Sequence, residues 1–296
     1  MAVLTARAFS ALIRLLGLLP LSAQRRLGRW LGRVFWYART REARITHVNL
    51  KCCFPDMEPR ARRRLARQSL EHTAMLLTEA GTTFHWPVTR WRELAMTMEG
   101  VDLIDAARAR NRGVLILVPH FGNWEFLALM LGEYAVTALY APPRIRSLEP
   151  AIRDARARAG ATLLPIDARG LRAFYQALAS GGVTALLPDQ VPDPRSGVYA
   201  DFFGTPALTM TFAHRLIRRT GAAVLMGTAS RVPGGFHLRF FEVDDDIAAA
   251  DARTSAAAMN RAIEALVRTD PAQYQWAYKR FKRPPAGIVN PYKRRR

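Results

Sequence analysis

Cysteine is scarce in this chain of 296 residues, which has two, the adjacent Cys52 and Cys53. Neighbouring cysteines rarely satisfy disulfide geometry, so the sequence excludes a disulfide framework and a cysteine-based metal site and indicates a reducing compartment. Long apolar runs are also missing, and the lack of any run of about 18 apolar residues excludes a polytopic membrane protein. Half of the residues are hydrophobic nonetheless, so the chain can bury a substantial core.

Acidic residues are few as well: 24 Asp and Glu stand against 44 Lys and Arg, a net charge of +20. This excess predicts an anionic partner, which the charge alone leaves open: membrane phospholipid, an acidic protein, a phosphorylated substrate or nucleic acid. Because the chain has no zinc-finger, ribonucleoprotein or helix-turn-helix signature, we expect no nucleic-acid partner.

Residues 1–40 are predicted to anchor the protein to a membrane. Ala8–Leu21 is mostly apolar, but Arg14 and Pro20 interrupt it, so a transmembrane helix requires Arg14 to lie near an interface. The next segment combines apolar residues, a basic face and aromatic rings, as helices lying on anionic membranes do: Leu27, Leu31, Val34 and Phe35; Arg25, Arg26, Arg29 and Arg33; Trp30, Trp36 and Tyr37. A cleaved signal peptide and an amphipathic helix packed on the domain are the alternatives.

Apolar strands and helices alternate from about residue 100 onward. The predicted strands are Val114–Val118, Val136–Tyr140, Thr162–Ile166, Val183–Leu187 and Ala223–Gly227, and the helices between or after them lie near 101–111, 123–133, 148–159, 169–180 and 207–220. This alternation predicts an α/β fold with a mostly parallel sheet flanked by helices. Phe236–Val243 alternates more strongly, as an edge or antiparallel strand does. We therefore expect one α/β domain over residues 41–296 behind the N-terminal helical extension.

The segment Gly113–Phe126, GVLILVPHFGNWEF, carries the strongest chemical signal. A buried strand ends there, and His120 follows it, at the strand end where open α/β sheets bind ligands. A neutral histidine is available near pH 7 as a general base. Glu125 lies five residues later, just inside the next helix, so a turn and one helical turn bring its carboxylate back to the ring. It is predicted to orient the ring and stabilise the imidazolium, and Asn123 is an N-cap candidate. The helix N–H groups nearby are candidate donors to an oxyanion or phosphate.

Several other chemistries lack their motifs. G-x-S-x-G is absent, which excludes an α/β-hydrolase, and the absence of a P-loop and of G-x-G-x-x-G excludes nucleotide-driven chemistry. The remaining histidines are dispersed without ligand spacing, so no metal site is predicted.

The chain resembles the late acyltransferases of lipid A biosynthesis, the lauroyl and myristoyl transferases, within the wider H-x4-D/E glycerolipid acyltransferase group. His120 and Glu125 match that motif within PHFGNWEF, and four further blocks agree in order: Asn49–Pro55, Leu187–Gln190, Phe202–Pro206 and Tyr274–Lys282. Together they span residues 45 to 285. One segment departs from the family pattern, because the arginine expected after the strand ending at Tyr140 is displaced to Arg144.

The resemblance implies an O-acyltransferase on the cytoplasmic face of the inner membrane. His120, oriented by Glu125, would deprotonate a lipid hydroxyl, which attacks the thioester of an acyl-acyl carrier protein, with no cofactor and no metal. Both ligands expected from the family, a phosphorylated glycolipid and an acidic carrier protein, are anionic and so agree with the net charge. The residues expected to contact substrate are Asn123, Arg144, Asp189 and Gln190, although Asp189 and Gln190 also suit a purely loop-shaping role.

The sequence leaves two alternative functions open. One is the same chemistry on another acceptor, such as a glycerolipid, an ornithine lipid or a different hydroxy-lipid, and the displaced Arg144 keeps this alternative open. The other is a non-catalytic protein that binds membrane or nucleic acid through its basic surface. The residues do not distinguish a carrier-protein donor from a coenzyme A donor.

Overall fold

The computed structural model describes residues 2–143 and 146–293 of the chain. Its α-helices are α1 Ala2–Gly17, α2 Leu21–Tyr37, α3 Arg41–Cys53, α4 Pro59–Thr78, α5 Ala80–His85, α6 Val88–Leu94, α7 Val101–Ala109, α8 Trp124–Met130, α9 Glu149–Ala157, α10 Ala168–Ala179, α11 Phe212–Thr220 and α12 Ala252–Thr269. Its strands are β1 Ala95–Glu99, β2 Val114–Leu117, β3 Thr137–Tyr140, β4 Thr162–Pro165, β5 Val183–Leu186, β6 Gly197–Phe202, β7 Thr205–Met210, β8 Ala223–Val232 and β9 Gly235–Glu242.

Seven strands form one sheet in the order β1-β9-β8-β2-β5-β3-β4. The central strand β2 pairs in parallel with β8 on one side and with β5 on the other. β9 pairs antiparallel with β8 and parallel with β1. The predicted mostly parallel α/β sheet is confirmed, and the strand predicted at 236–243 is antiparallel but lies inside the sheet, not at its edge.

A hydrophobic core lies on each face of the sheet, because strand side chains alternate between the two faces. Leu115 and Leu117 of β2 point into one core, where they join side chains of α10 and α12. Val114 and Ile116 point into the other, where they join side chains of α7 and α8. Because β2 is packed between these two cores, its position is fixed. The loop that follows its carboxyl end therefore begins from a rigid strand.

The sequence prediction was wrong around residue 207. The helix predicted over 207–220 begins only at Phe212, since Thr205–Met210 pairs with β6 in an antiparallel hairpin. Phe203 and Gly204 form its turn with φ of 52° and 69°, the left-handed pair that a tight hairpin needs. The buried Phe202 and Phe203 are thus core residues at a turn. Strand β1 was not predicted either, because four of its five residues are exposed and give no apolar run.

Helix α2 packs tightly against α4 through two glycines one turn apart. A Cβ at Gly28 would lie 2.6 Å from Met75 Cα, and one at Gly32 would lie 2.3 Å from Glu71 Cα. Arg25, predicted on the exposed basic face, is instead buried on this side of α2, because its Nε donates to Glu79 Oε1 at 2.8 Å. Among the residues described, the helices are all too short or too polar to cross a membrane.

Gly32→Ala tests this helix contact. We expect the unfolding free energy to fall by about 1–3 kcal/mol, because the added methyl overpacks the contact, although alanine favours a helix by about 1 kcal/mol over glycine. Chemical denaturation measures the change, and Ser22→Ala, at an exposed position in the first turn of α2, is the control. A Gly32→Ala protein as stable as its parent would contradict the close approach.

Candidate active site

The loop between β2 and α8 holds His120 through its backbone. His120 N donates to Asp189 Oδ2 at 2.9 Å, and Gln275 N donates to His120 O at 2.9 Å. Gly122 has a φ of 58°, and a Cβ there would lie 2.1 Å from Ala229 O. The close approach of the loop to β8 therefore requires glycine, and the His120 ring projects from a fixed backbone.

Both nitrogens of the His120 ring have partners. Nδ1 lies 2.7 Å from Asp189 Oδ1, and Nε2 lies 3.0 Å from Gln190 Nε2. Because an ionised carboxylate only accepts hydrogen bonds, Nδ1 carries the proton and the neutral ring has its lone pair on Nε2. The Trp124 ring packs edge-on at 5.2 Å, and the His120 side chain is 13% exposed. Nε2 is therefore the basic nitrogen of the ring. It lies near the surface, next to the Gln190 amide, which a substrate hydroxyl can replace.

Asp189 is fully buried and ionised. Burial alone would raise the pKa of this carboxyl, but attraction to the protonated form of His120 and hydrogen bonds from the ring, the His120 backbone N–H and Tyr274 lower that pKa below the ordinary value. Burial and the neighbouring Asp189 charge raise the pKa of Tyr274 well above its ordinary value. The neutral hydroxyl and the ionised carboxylate therefore form a stable pair behind the imidazole ring.

Glu125 is not placed as the sequence predicted. Its carboxylate points to helix α9, where Arg156 binds it with two donors, Nε to Oε2 at 2.9 Å and Nη2 to Oε1. The two nitrogens of His120 are occupied by Asp189 and Gln190, so the expectation that Glu125 orients the ring is corrected. The physical reason is strand order: β5 lies next to β2, so Asp189 reaches the ring from the adjacent strand end.

Asn123 caps α8, as predicted, because its Oδ1 accepts from Phe126 N at 2.9 Å. Its Nδ2 donates to Glu79 Oε2 at 2.9 Å, and the residue has no exposed surface. Glu79 also binds Arg25 at 2.8 Å and Arg231 at 2.9 Å. Both ends of the Asn123 amide are thus used inside the protein, where they position the loop, and the expected direct contact of this side chain with substrate has no support from the geometry.

The other predicted site residues divide into two groups. Asp189 and Gln190 lie together at His120, whereas Arg144 lies outside the described residues. Sequence reasoning missed Arg156 and Glu79. Neither had a detectable signal, because their partners are distant in sequence and the spacing of charges along one helix does not reveal them.

A small cavity of about 60 Å³ lies between α8, α9 and the strand ends. Its polar residues are Glu125, Arg156, Trp124 and Tyr140, and the remaining lining is apolar: Val118, Ala128, Val136, Ala138, Leu139, Ala161, Leu163, Ala185 and Leu187. The Trp124 Nε1 and the Tyr140 hydroxyl are buried and have no hydrogen-bond partner among the described residues. The cavity therefore combines an apolar wall with free hydrogen-bond donors.

No metal-binding arrangement occurs within residues 2–143 and 146–293, where no three His, Cys, Asp or Glu side chains are grouped to hold an ion. What the described side chains offer is acid–base and electrostatic chemistry: one basic imidazole nitrogen, a carboxylate behind it, and a guanidinium at the adjacent cavity.

Asp189→Asn tests the electrostatic coupling behind His120. Since the folded-state pKa of Asp189 lies below its ordinary value of 3.8, ionisation stabilises the fold above pH 3.8, and this contribution is lost as pH falls through the lowered value. We expect the wild type to be more stable than Asp189→Asn at pH 7, by about 1–3 kcal/mol, with the gap closing only in strong acid. A gap that is constant down to pH 2 would contradict the coupling.

Comparisons with known proteins identify the family of the chain. Residues 3–283 match the family described as bacterial lipid A biosynthesis acyltransferase. The chain is similar to the lipid A biosynthesis lauroyltransferase of Escherichia coli K12, with 31% identity over 93% of this chain and 90% of that protein. It is also similar to the palmitoleoyltransferase of that organism, with 29% identity over 86% of this chain and 83% of the relative. The myristoyltransferase of the same organism is 28% identical over 91% of this chain and 83% of its own length. The chain thus belongs to the bacterial lipid A biosynthesis acyltransferase family.

Proposed function

We propose that this acyltransferase moves a fatty acyl group from an acyl-acyl carrier protein thioester to a hydroxyl of a lipid A precursor, at the cytoplasmic face of the inner membrane. The observation that carries the proposal is the His120–Asp189 contact of 2.7 Å, with Nε2 of the ring turned to the surface. The family membership and the relatives' names support the acceptor class and the reaction type.

In the proposed reaction, His120 is the general base. The acceptor hydroxyl takes the place of the Gln190 amide at Nε2 and transfers its proton there, while its oxygen forms a bond to the thioester carbonyl carbon. The imidazolium that results is stabilised by the ionised Asp189. When the tetrahedral intermediate collapses, the carbon–sulfur bond breaks and the imidazolium returns the proton to the departing thiolate.

We propose that Glu125 serves the reaction through Arg156 rather than through His120. Two guanidinium nitrogens bind the Glu125 carboxylate, and this holds the cation rigidly at the cavity next to the His120 loop. The tetrahedral oxyanion needs a positioned donor. Arg156 suits that role better than the N-terminus of the seven-residue α8, where the Asn123 side chain already caps the Phe126 amide.

The acyl chain is proposed to enter the 60 Å³ cavity, whose wall is apolar except for Glu125, Arg156, Trp124 and Tyr140. In this arrangement the thioester carbonyl lies at the polar end of the cavity, near Arg156, and the hydrocarbon lies along the strand ends. An acyl chain too long for this volume requires the apolar side chains that line the cavity to move apart.

Membrane association is proposed to rest on the first two helices. Several of their apolar side chains are exposed: Leu12, Leu15 and Leu18 on α1 and just after it, and Trp30, Val34 and Tyr37 on α2. Arg26, Arg29 and Arg33 of α2 are exposed beside them. Apolar and basic side chains exposed together on α2 favour an anionic bilayer interface, and the exposed leucines of α1 add apolar area. Helix α2 also packs on α4 and binds Glu79 through Arg25. In this proposal it therefore contacts the membrane and stabilises the domain as well.

His120→Ala tests the catalytic assignment. We expect kcat for acyl transfer to fall by about 10² to 10⁴, the usual cost of losing a general base, with the thermal unfolding midpoint and membrane binding largely unchanged. The control is His85→Ala, at an exposed histidine away from the site. Full activity of His120→Ala would reject the general base and favour a binding protein that acts through its basic surface.

Leu15→Ser with Leu18→Ser tests the proposed anchor in the full-length chain. The two side chains are 61% and 77% exposed, so their loss leaves the core intact and removes apolar area that a bilayer would bury. We expect the protein to move from the membrane fraction towards the supernatant after a salt wash. Ile166→Ser, at a side chain 60% exposed on another part of the surface, should not move it. Equal release by both variants would contradict the anchor assignment.

A further inference from the structure

A groove of about 800 Å³ lies between the end of α2, the helix α3 and the N-terminal half of α4. Three arginines, one histidine and two aromatic rings line it: Arg39, Arg44, Arg63, His47, Trp36 and Tyr37. None of these residues contacts His120 or Asp189. The groove is therefore separate from the candidate active site.

The arginines of the groove are not neutralised by neighbouring acidic side chains within residues 2–143 and 146–293. Arg39, Arg44 and Arg63 make no ion pair with any acidic side chain in the part of the chain that the structure describes. The Arg44 guanidinium donates from Nη1 to the carbonyl of Arg39 at 3.0 Å. Like charges that face one cavity repel each other, and an anion bound between them would remove that cost.

His47 lies among these cations as a neutral side chain. Burial, first, and then the charges of Arg62, Arg63 and Lys51 lower the pKa of this imidazole. It therefore adds a hydrogen-bonding group to the groove without adding charge, which suits a ligand whose anionic oxygens are next to uncharged polar atoms.

The groove opens beside the exposed apolar residues of α2. Tyr37 lines the groove and is 71% exposed, and Val34, one helical turn earlier, is 41% exposed. Trp36 and Tyr37 provide an aromatic wall, and side chains of this type settle at the level of lipid headgroups. The volume is also far larger than a bare phosphate needs, so the groove fits an anionic group that carries an attached uncharged body.

We propose that this groove binds the phosphate group of a membrane phospholipid, with Arg39, Arg44 and Arg63 on the phosphate oxygens and the glycerol portion against Trp36 and Tyr37. Guanidinium groups suit phosphate because they offer paired donors and a fixed charge. The site is additional to the acyl-transfer site and does not depend on the acceptor that His120 acts on. A lipid held here seats the protein in a defined orientation on the bilayer surface.

Calorimetric titration of the full-length protein with dihexanoyl phosphatidylglycerol, below its micelle concentration, tests the proposal. We expect saturable binding that Arg44→Gln and Arg63→Gln each weaken by about fivefold or more. The matched control is Arg41→Gln, which removes the same charge from α3, the helix that carries Arg44. Arg41 is outside the groove, 63% exposed on its side chain and 3.9 Å from Glu42. A thermal melt of each variant verifies folding.

The outcomes distinguish a specific lipid site in the groove from a general attraction of the lipid to the positive charge of the protein. Weaker binding in the groove variants with no change in Arg41→Gln supports the site, and equal weakening in all three overturns it. Dihexanoyl phosphatidylcholine has the same phosphate but also a choline cation, which the three arginines repel, so it should bind much more weakly; equal binding of the two lipids overturns recognition by charge. Inorganic phosphate that binds as tightly as the lipid overturns the lipid assignment. Binding is also measured in His120→Ala, where it should persist, so a failure of the catalytic proposal is distinguishable from a failure of this one.

Discussion

Both oxygens of the Asp189 carboxylate bind the same residue, and the geometry of the site follows from this. Oδ2 accepts from the backbone N–H of His120 at 2.9 Å, and Oδ1 accepts from the ring at 2.7 Å. One buried anion therefore fixes the position of the loop, the orientation of the imidazole and the identity of its protonated nitrogen. The ring is a usable base because the nitrogen left unprotonated, Nε2, lies on the side towards the surface.

A second buried carboxylate, Glu79, connects this site to the N-terminal helices. It accepts from Arg25 of α2, from Arg231 of β8 and from Asn123, the residue that caps α8. An unpaired charge in this position would be costly, so the three donors are held in a fixed arrangement. Helix α2 is thus joined through Arg25 and Glu79 to Asn123 in the His120 loop. If α2 contacts the membrane as proposed, the contact surface and the site belong to one structural unit.

The sequence predicted the fold class well because each part of that prediction rests on local pattern. Apolar runs of four or five residues separated by helices gave the strands of the parallel sheet, and the position of His120 just after β2 followed from the same runs. The sequence prediction failed where two interacting side chains are far apart in the chain. Asp189 is 69 residues from His120, so the orienting carboxylate could be identified only with the strand order, and the local spacing favoured Glu125. Arg25 looked exposed because Glu79 lies 54 residues away. The Phe203–Gly204 turn had a readable signal in its glycine, but the helix-like run after it masked the strand of the hairpin.

The central claim is that His120 activates a hydroxyl of a lipid A precursor, and mass spectrometry of lipid A from the producing bacterium tests it most directly. A strain that lacks this chain is compared with the same strain carrying the wild type or His120→Gln. The account predicts lipid A lighter by one fatty acyl group in the deletion strain, restored by the wild type and not by His120→Gln. Unchanged lipid A, with an acyl group missing instead from another lipid class, would contradict it.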